Sequence, residues 1–435
     1  MSAGALTLCP ECDLLQQSPP LPPGGASRCA RCSHTLHRDR PDSIDRTLAL
    51  TITGLVLFAI ANAFPFLSFE MQGRVTETTL MTGVRDLLAQ GKGEVAAVVL
   101  FTSILAPGLQ LILLLLVLAP LKWGGRLPPG FPTLFRWFKR LVPWGMMDVF
   151  MIGILVSVVK LTDMANIVPG LSLFAFVALI FVLAAAQAAL DPDAVWERVP
   201  LPPQVRRPPA PGEAVIGCDV CELVVPAAAA DLDARGRPRC PRCTDVLHRR
   251  KPESLQRTWA LVIAAAVLYL PANLYPVMSV TSMGQTQADT ILSGVLFLLH
   301  HGMWPLAIIV FMASIFVPLL KLLSLMFLLV SVQLRSHWRP RERTKLYRVT
   351  EAIGRWSMVD VYVVTILVAL VRLGNLASIE ARAGAVFFCA VVILTMLAAM
   401  SFDPRLIWDA LEQDHDGAAT ARTPIEPTAQ RAVSG

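Results

Sequence analysis

The sequence predicts an all-α polytopic membrane protein. Eight transmembrane helices form two parallel four-helix repeats, each preceded by a small cytoplasmic zinc ribbon built of β knuckles. Three observations predict this. Of 435 residues, 54% are hydrophobic and only 16% charged, a balance too apolar for a soluble chain of this length. Eight of nine cysteines fall in four C-x-x-C pairs. The pattern C-x-x-C-x3-L-H-R-x-[RK]-P-[DE]-S-[IL]-x-R-T occurs at Cys29–Thr47 and again at Cys240–Thr258, each time running into a long apolar stretch.

Residues 1–46 read as the first ribbon. Cys9 and Cys12 are separated from Cys29 and Cys32 by a Pro/Gly-rich loop, and Cys218 and Cys221 stand at similar spacing from Cys240 and Cys243. A C-x-x-C turn aims two thiolates at one ion, and two such turns complete a tetrahedral site. Four sulfurs fill the four positions of Zn2+, so the two sites read as structural. An iron site with the same ligands is not excluded. No apolar signal-peptide core lies within residues 1–46, so the first membrane helix is expected to be retained.

Residues 47–190 form the first transmembrane repeat, with apolar runs at 47–67, 95–119, 144–162 and 167–190. Between the first two, residues 68–94 read as a short amphipathic helix at the membrane interface. A Pro-rich linker occupies 191–217 and the second ribbon 218–257. The second transmembrane repeat covers 258–403, with runs at 258–278, 304–332, 356–373 and 383–402. Residues 404–435 are polar and are expected to be a disordered cytoplasmic tail.

The halves align throughout at an offset of 211 to 212: Gly91 meets Gly302, Pro107 meets Pro318, Asp148 meets Asp360, and Asp191-Pro192 meets Asp403-Pro404. An even number of helices per half makes the repeats parallel. Lys and Arg crowd the loops at 120–143 and 333–355, while 279–303 has none. The positive-inside rule therefore places both ribbons, the linker and both termini in the cytoplasm.

Charged residues inside apolar runs are costly and usually functional. Lys321 lies within the run 304–332, with Ser314 seven residues earlier on the same face. Ser357 and Asp360 share a face at i, i+3, and Thr395 sits mid-run in the eighth helix. Together they read as a polar cluster on a lipid path in the second half, with Lys321 pairing to Asp360 in one state. Asp148 is the first-half counterpart, and interfacial anchoring is the plainer reading for both aspartates. His37 and His248 read as packing or phosphate-facing residues, since four cysteines already complete each site. The basic residues of the repeated pattern read as a partner or headgroup surface. No G-x-x-x-x-G-K-[ST] occurs, so ATP hydrolysis is not expected, and no enzymatic role is expected.

Both ribbons lead into repeats carrying [WG]-x-M-x-D-V-[FY], as Trp144-Gly145-Met146-Met147-Asp148-Val149-Phe150 and Trp356-Ser357-Met358-Val359-Asp360-Val361-Tyr362. In this the chain resembles the paraquat-inducible protein A family over about residues 5–405. The resemblance implies a bacterial inner-membrane protein that handles phospholipids beside a periplasmic MCE-domain tunnel protein, with no nucleic-acid partner. A proton-coupled exporter of toxic small molecules and a thiol redox protein are the competing readings.

Overall fold

The computed structural model describes residues 6–416, apart from 20, 72–73, 125–126, 129, 162–165, 207–208, 211–212, 283–284, 301 and 371–376. Among the described residues, eight helices are long and apolar enough to cross a membrane.

The first ribbon is two hairpins, β1 (Leu6–Leu8) with β2 (Leu15–Gln17) and β3 (Ala26–Arg28) with β4 (Thr35–Arg38). In the first half, α1 (Ser43–Ala63) runs away from the ribbon to β5 (Leu67–Met71) and β6 (Arg74–Thr78). Then come α2 (Leu80–Ala89), the long α3 (Gly93–Lys122), α4 (Phe131–Leu141) and α5 (Met147–Leu161). β7 (Asn166–Pro169) and α6 (Leu171–Ala189) close the half. The second ribbon has β8 (Val215–Gly217), β9 (Val224–Pro226), β10 (Asp231–Leu232) and β11 (Pro238–Arg239). The second half repeats the order with α7 (Ser254–Leu274), β12 (Met278–Ser282), β13 (Gln285–Asp289), α8 (Ile291–His300) and α9 (Ala307–Gln333). It ends with α10 (Pro340–Ile353), α11 (Val359–Leu370), β14 (Ala377–Ala381) and α12 (Ala383–Ser401).

The repeated junction pattern is a joint. In each copy the acid adopts a left-handed backbone just before the helix, Asp42 at φ 54° and Glu253 at φ 52°. The following serine then ties the start of the half's first helix to the end of its last. Ser43 donates to Ala189 O at 2.8 Å and accepts from Asp191 N, while Ser254 donates to Ser401 O at 2.8 Å and accepts from Asp403 N. The basic member caps carbonyls left open at that same helix end: Arg40 reaches Gln187 O and Leu190 O, and Lys251 reaches Met400 O and Phe402 O. These two cations are thus engaged in the joint.

Four features differ from the sequence reading. Residues 67–78 form a hairpin, and β5 also pairs with β7, giving a three-stranded sheet β6-β5-β7 mirrored by β13-β12-β14. The amphipathic helix is confined to Leu80–Ala89, and the fourth membrane helix starts at Leu171 because 166–169 belong to that sheet. The basic loops contain α4 and α10, whose apolar residues (Phe131, Phe135 and Phe138 in α4) are buried one turn apart. Finally, residues 404–416 are not a disordered tail. Leu406–Asp416 is a helix, α13, with Ile407 and Trp408 buried, because it covers the end of α12 and the first ribbon. The rest of the tail, 417–435, lies outside the described residues.

Helices α3 and α9 each contain a π-helical turn, Phe101–Leu105 and Met312–Phe316, directly before Pro107 and Pro318. Proline has no N–H for the carbonyl four residues back, and the wider turn absorbs that defect.

The halves meet along α5 and α11. Gly153 lets them close, since a Cβ there would lie 2.8 Å from the Cβ of Tyr362, and Tyr362 donates to Thr102 Oγ1 at 2.7 Å. Val361–Leu370 of α11 is buried at every position, so this helix is the axis of the molecule. On the side away from the ribbons, Gln90 closes the edge of β14 by donating to Ile379 O and accepting from Ala381 N.

Candidate functional site

Each of the four knuckles is the same hydrogen-bonded turn. The first cysteine N–H bonds the carbonyl five residues on, as Cys9 to Leu14, Cys29 to His34, Cys218 to Leu223 and Cys240 to Asp245, at 2.8–3.0 Å. The residue after the second cysteine turns left-handed in every case: Asp13, Ser33, Glu222 and Thr244, at φ 58–60°. That twist folds the two thiols of a pair toward one point. In each ribbon the four Sγ atoms lie within 4.8 Å of one another, all buried. Sulfurs on a tetrahedron with bonds of about 2.3 Å stand about 3.8 Å apart, so the donor set fits a zinc-sized ion. Within each ribbon the closest sulfurs come from different knuckles, Cys12 and Cys29 at 3.4 Å and Cys218 and Cys243 at 3.4 Å. Cys389 is buried separately in α12.

The ribbons dock crosswise. The first shares a core with Leu322, Leu325, Tyr347, Phe402 and Trp408 of the second half. The second shares one with Leu114, Val117, Phe131, Phe135 and Trp196 of the first. Ion pairs follow the same crossing. Glu11 meets Arg348, and Arg250 bridges Asp13 at 2.6 Å and Asp409. On the other side Asp245 meets Arg140 at 2.8 Å and Arg136 at 3.6 Å, and Lys139 meets Glu222 at 3.5 Å. The start of the Pro-rich linker joins in, packing Trp196 against Phe135 at 4.9 Å between ring centres.

His37 lies outside the cysteine cluster. Its Nδ1 bonds Asp193 at 2.7 Å and its Nε2 pairs with Thr7 Oγ1 at 3.0 Å. Burial disfavours the charged form of both partners, yet their mutual hydrogen bond outweighs it, so His37 is raised and Asp193 lowered.

In the second half, Lys321 is 2% exposed. Among the described residues its hydrogen-bond partners are Thr395 Oγ1 at 2.8 Å, Gly354 O at 3.4 Å and Ser357 Oγ at 3.5 Å. All three are neutral oxygens, and Asp360, half-buried one turn beyond Ser357, is not one of them. Ser314 stands two turns back, where its hydroxyl donates to Val310 O in the π-helical turn. Its counterpart Ser103 donates to Val99 O in the same way. Asp148 is exposed. Where Lys321 stands, the first half has Gln110, which donates to Leu141 O at 2.6 Å. Both side chains reach from the half's second membrane helix to carbonyls freed at the 3-10 break before the third. The Gly354 carbonyl is the partner that sequence reasoning missed, because a backbone acceptor carries no residue signature.

Eight apolar spans in two matching bundles, with a cluster of four cysteines ahead of each, define a multi-pass membrane protein of duplicated build carrying two candidate metal centres. The family described as "Paraquat-inducible protein A" matches residues 44–200 and 255–412, two segments in the register of the duplication. The chain belongs to this family. Intermembrane transport protein PqiA of Escherichia coli strain K12 is 35% identical over 416 residues, covering 94% of this chain and 97% of that protein. Lipophilic envelope-spanning tunnel protein A of the same strain is 35% identical over 405 residues, covering 93% and 91%. No solved structure matches the chain.

Proposed function

We propose that this protein is the inner-membrane component of an MCE-type intermembrane lipid transport system. In this reading it loads or extracts phospholipids at the membrane end of a periplasmic tunnel and so contributes to envelope integrity. The relatives' names, intermembrane transport and an envelope-spanning tunnel for lipophilic cargo, support the class of activity. The basic segments beside α4 and α10 support a cytoplasmic position for ribbons and termini, with both three-stranded sheets facing the periplasm. The segments 68–94 and 279–303 then offer a docking face for the MCE-domain protein. Zn2+ held by Cys9, Cys12, Cys29 and Cys32, and by Cys218, Cys221, Cys240 and Cys243, serves to fold the ribbons.

The observation that carries the reading is Lys321. A buried cation whose partners among the described residues are all neutral oxygens stabilises an anionic group brought beside it, and a phospholipid phosphate is such a group. Lys321, Ser357 and Thr395 form the polar centre of the path, and Asp360, which is outside the contacts of Lys321 here, is its partner in another state of the bundle. Mass spectrometry of lipids and proteins retained after gentle detergent extraction tests this. Phospholipid and an MCE-domain protein are expected. Retention of neither, alongside drug-dependent efflux in vesicles, overturns the reading in favour of a small-molecule exporter.

A further inference from the structure

At the ribbon end of the second half, Arg31, Arg339, Pro340, Arg341, Glu342 and Trp408 surround a cleft of about 440 Å³. Three separate segments build it: the second knuckle of the first ribbon, the start of α10, and α13. Among the described residues, its lining has three arginines and one glutamate, whose carboxylate is paired with Lys345 at 3.0 Å. The guanidinium of Arg31 lies 5.5 Å over the ring of Trp408, and that residue is buried against the ribbon. Arg31 also donates to Cys12 O at 3.2 Å, so the wall of the cleft is fixed in place.

Arg339 occupies a left-handed position, φ 38°, immediately before Pro340 opens α10. The turn that opens α4 in the first half is Gly130, φ 86°, before Phe131-Pro132, two to three residues later in the register of the duplication. Glycine takes that turn without strain, and arginine does not. Both helices thus open from a left-handed turn, and only the second half places a cation in it. Trp196 stands where Trp408 does, and Arg242 where Arg31 does, yet the first half has no counterpart of the Arg339 and Arg341 pair. The second half keeps two cations at a helix start, one of them in a strained backbone. Arg339 lies 5.6 Å from the ring of Trp338, which is 58% exposed and touches Phe327 of α9 edge-on. An exposed tryptophan at the end of a membrane helix marks the headgroup level.

We propose that this cleft binds a phosphate group, that of an anionic phospholipid headgroup at the membrane edge, through Arg339 and Arg341 with Arg31 behind them. Guanidinium forks match phosphate oxygens in pairs. The site is separate from the Lys321 centre and does not depend on the transport reading.

The test uses the full chain in detergent, titrated with dioctanoyl phosphatidylglycerol and read by native mass spectrometry. Arg339→Gly relieves the strained turn, as Gly130 does at the start of α4, and Arg341→Gln removes an exposed cation. The double variant is expected to bind the lipid roughly thirtyfold more weakly, two cations contributing about fivefold each. Its melting temperature is expected to be unchanged or higher. If it is lower, Arg341→Gln alone is read, with about a fivefold loss expected. Displacement of the lipid by millimolar inorganic phosphate in the wild type would keep the phosphate site and assign its natural occupant to solution. No displacement assigns it to the membrane. Equal lipid binding by wild type and variant overturns the proposal.

Discussion

The guanidinium of Arg348 in α10 grips the carboxylate of Glu11 and donates to Cys32 O at 3.0 Å, across 337 residues of chain. It clamps the first ribbon to the second half. Arg348→Ala takes the guanidinium from a largely buried carboxylate and leaves it His34 of its own ribbon, at 3.0 Å, a loss of about 1–3 kcal/mol that falls on the contact between ribbon and second half. Limited proteolysis with tags at both ends is expected to show faster cutting of the first ribbon and an unchanged second. Arg140→Ala is expected to do less to the second ribbon, because Asp245 retains Arg136. Equal loosening of both ribbons by Arg348→Ala would contradict crosswise docking.

Cys29→Ser and Cys240→Ser each remove one sulfur from a four-sulfur centre. Short hairpins of two to four residues have little core of their own, and structural zinc supplies about 10–16 kcal/mol of apparent binding energy in comparable sites. Each variant is expected to lose close to one equivalent of bound metal and most of its steady-state abundance. Full abundance with two equivalents of metal in both would remove the metal-folding account.

Lys321→Ala is expected to leave the protein inserted and abundant. The hydroxyls it abandons keep acceptors of their own, Thr395 on Val392 O and Ser357 on Gly354 O. Lipid transfer between membranes is expected to fall at least about tenfold, the scale of one lost charge-assisted contact. Gln110→Ala instead strips Leu141 O of its donor, so a stability loss of about 1–3 kcal/mol with milder transfer loss is expected. Full transfer by Lys321→Ala, or its simple unfolding, rules out the cluster as a functional centre.

The His37–Asp193 contact predicts a pH window. A raised histidine contributes stability that is complete below its ordinary pKa of 6.5 and is lost as pH rises through the higher folded value. A lowered aspartate contributes above its ordinary 3.8 and fails as pH falls through the lower folded value. The difference in thermal stability between wild type and His37→Gln is therefore expected to be largest near pH 5–6, about 1–2 kcal/mol, and to shrink by pH 9. A difference that is flat across that range would refute the charge on the pair.

Much of this was legible because it is written in local signals. An apolar run long enough to span, a C-x-x-C turn, and a repeat offset of 211 to 212 need no knowledge of partners. The sheets were not legible, because Leu67 pairs with both Thr78 and Pro169, and the second pairing links segments a hundred positions apart. α4 was hidden by its own charge: five Lys and Arg residues in 120–143 read as a loop, although Phe131, Phe135 and Phe138 carry helical spacing. Lys321 stood out by its isolation among apolar residues. Its nearest oxygen on Thr395 is 74 positions away, and Gly354 contributes only backbone.

The crossed ribbons also set an order of events during synthesis. The first ribbon leaves the ribosome before α1 and the helices that follow it, but its dock includes Arg348, 316 positions after Cys32, and Trp408. At about 5–20 residues per second that is a wait of roughly 20–70 s. Throughout it, the cysteines, Glu11 and the apolar face of the knuckles are uncovered. The nascent ribbon is thus a sensor of completion: only a chain made to α13 and inserted in full can hide it. A truncated or mis-threaded product advertises its failure at this ribbon, where a protease or a competing metal chelator meets it first.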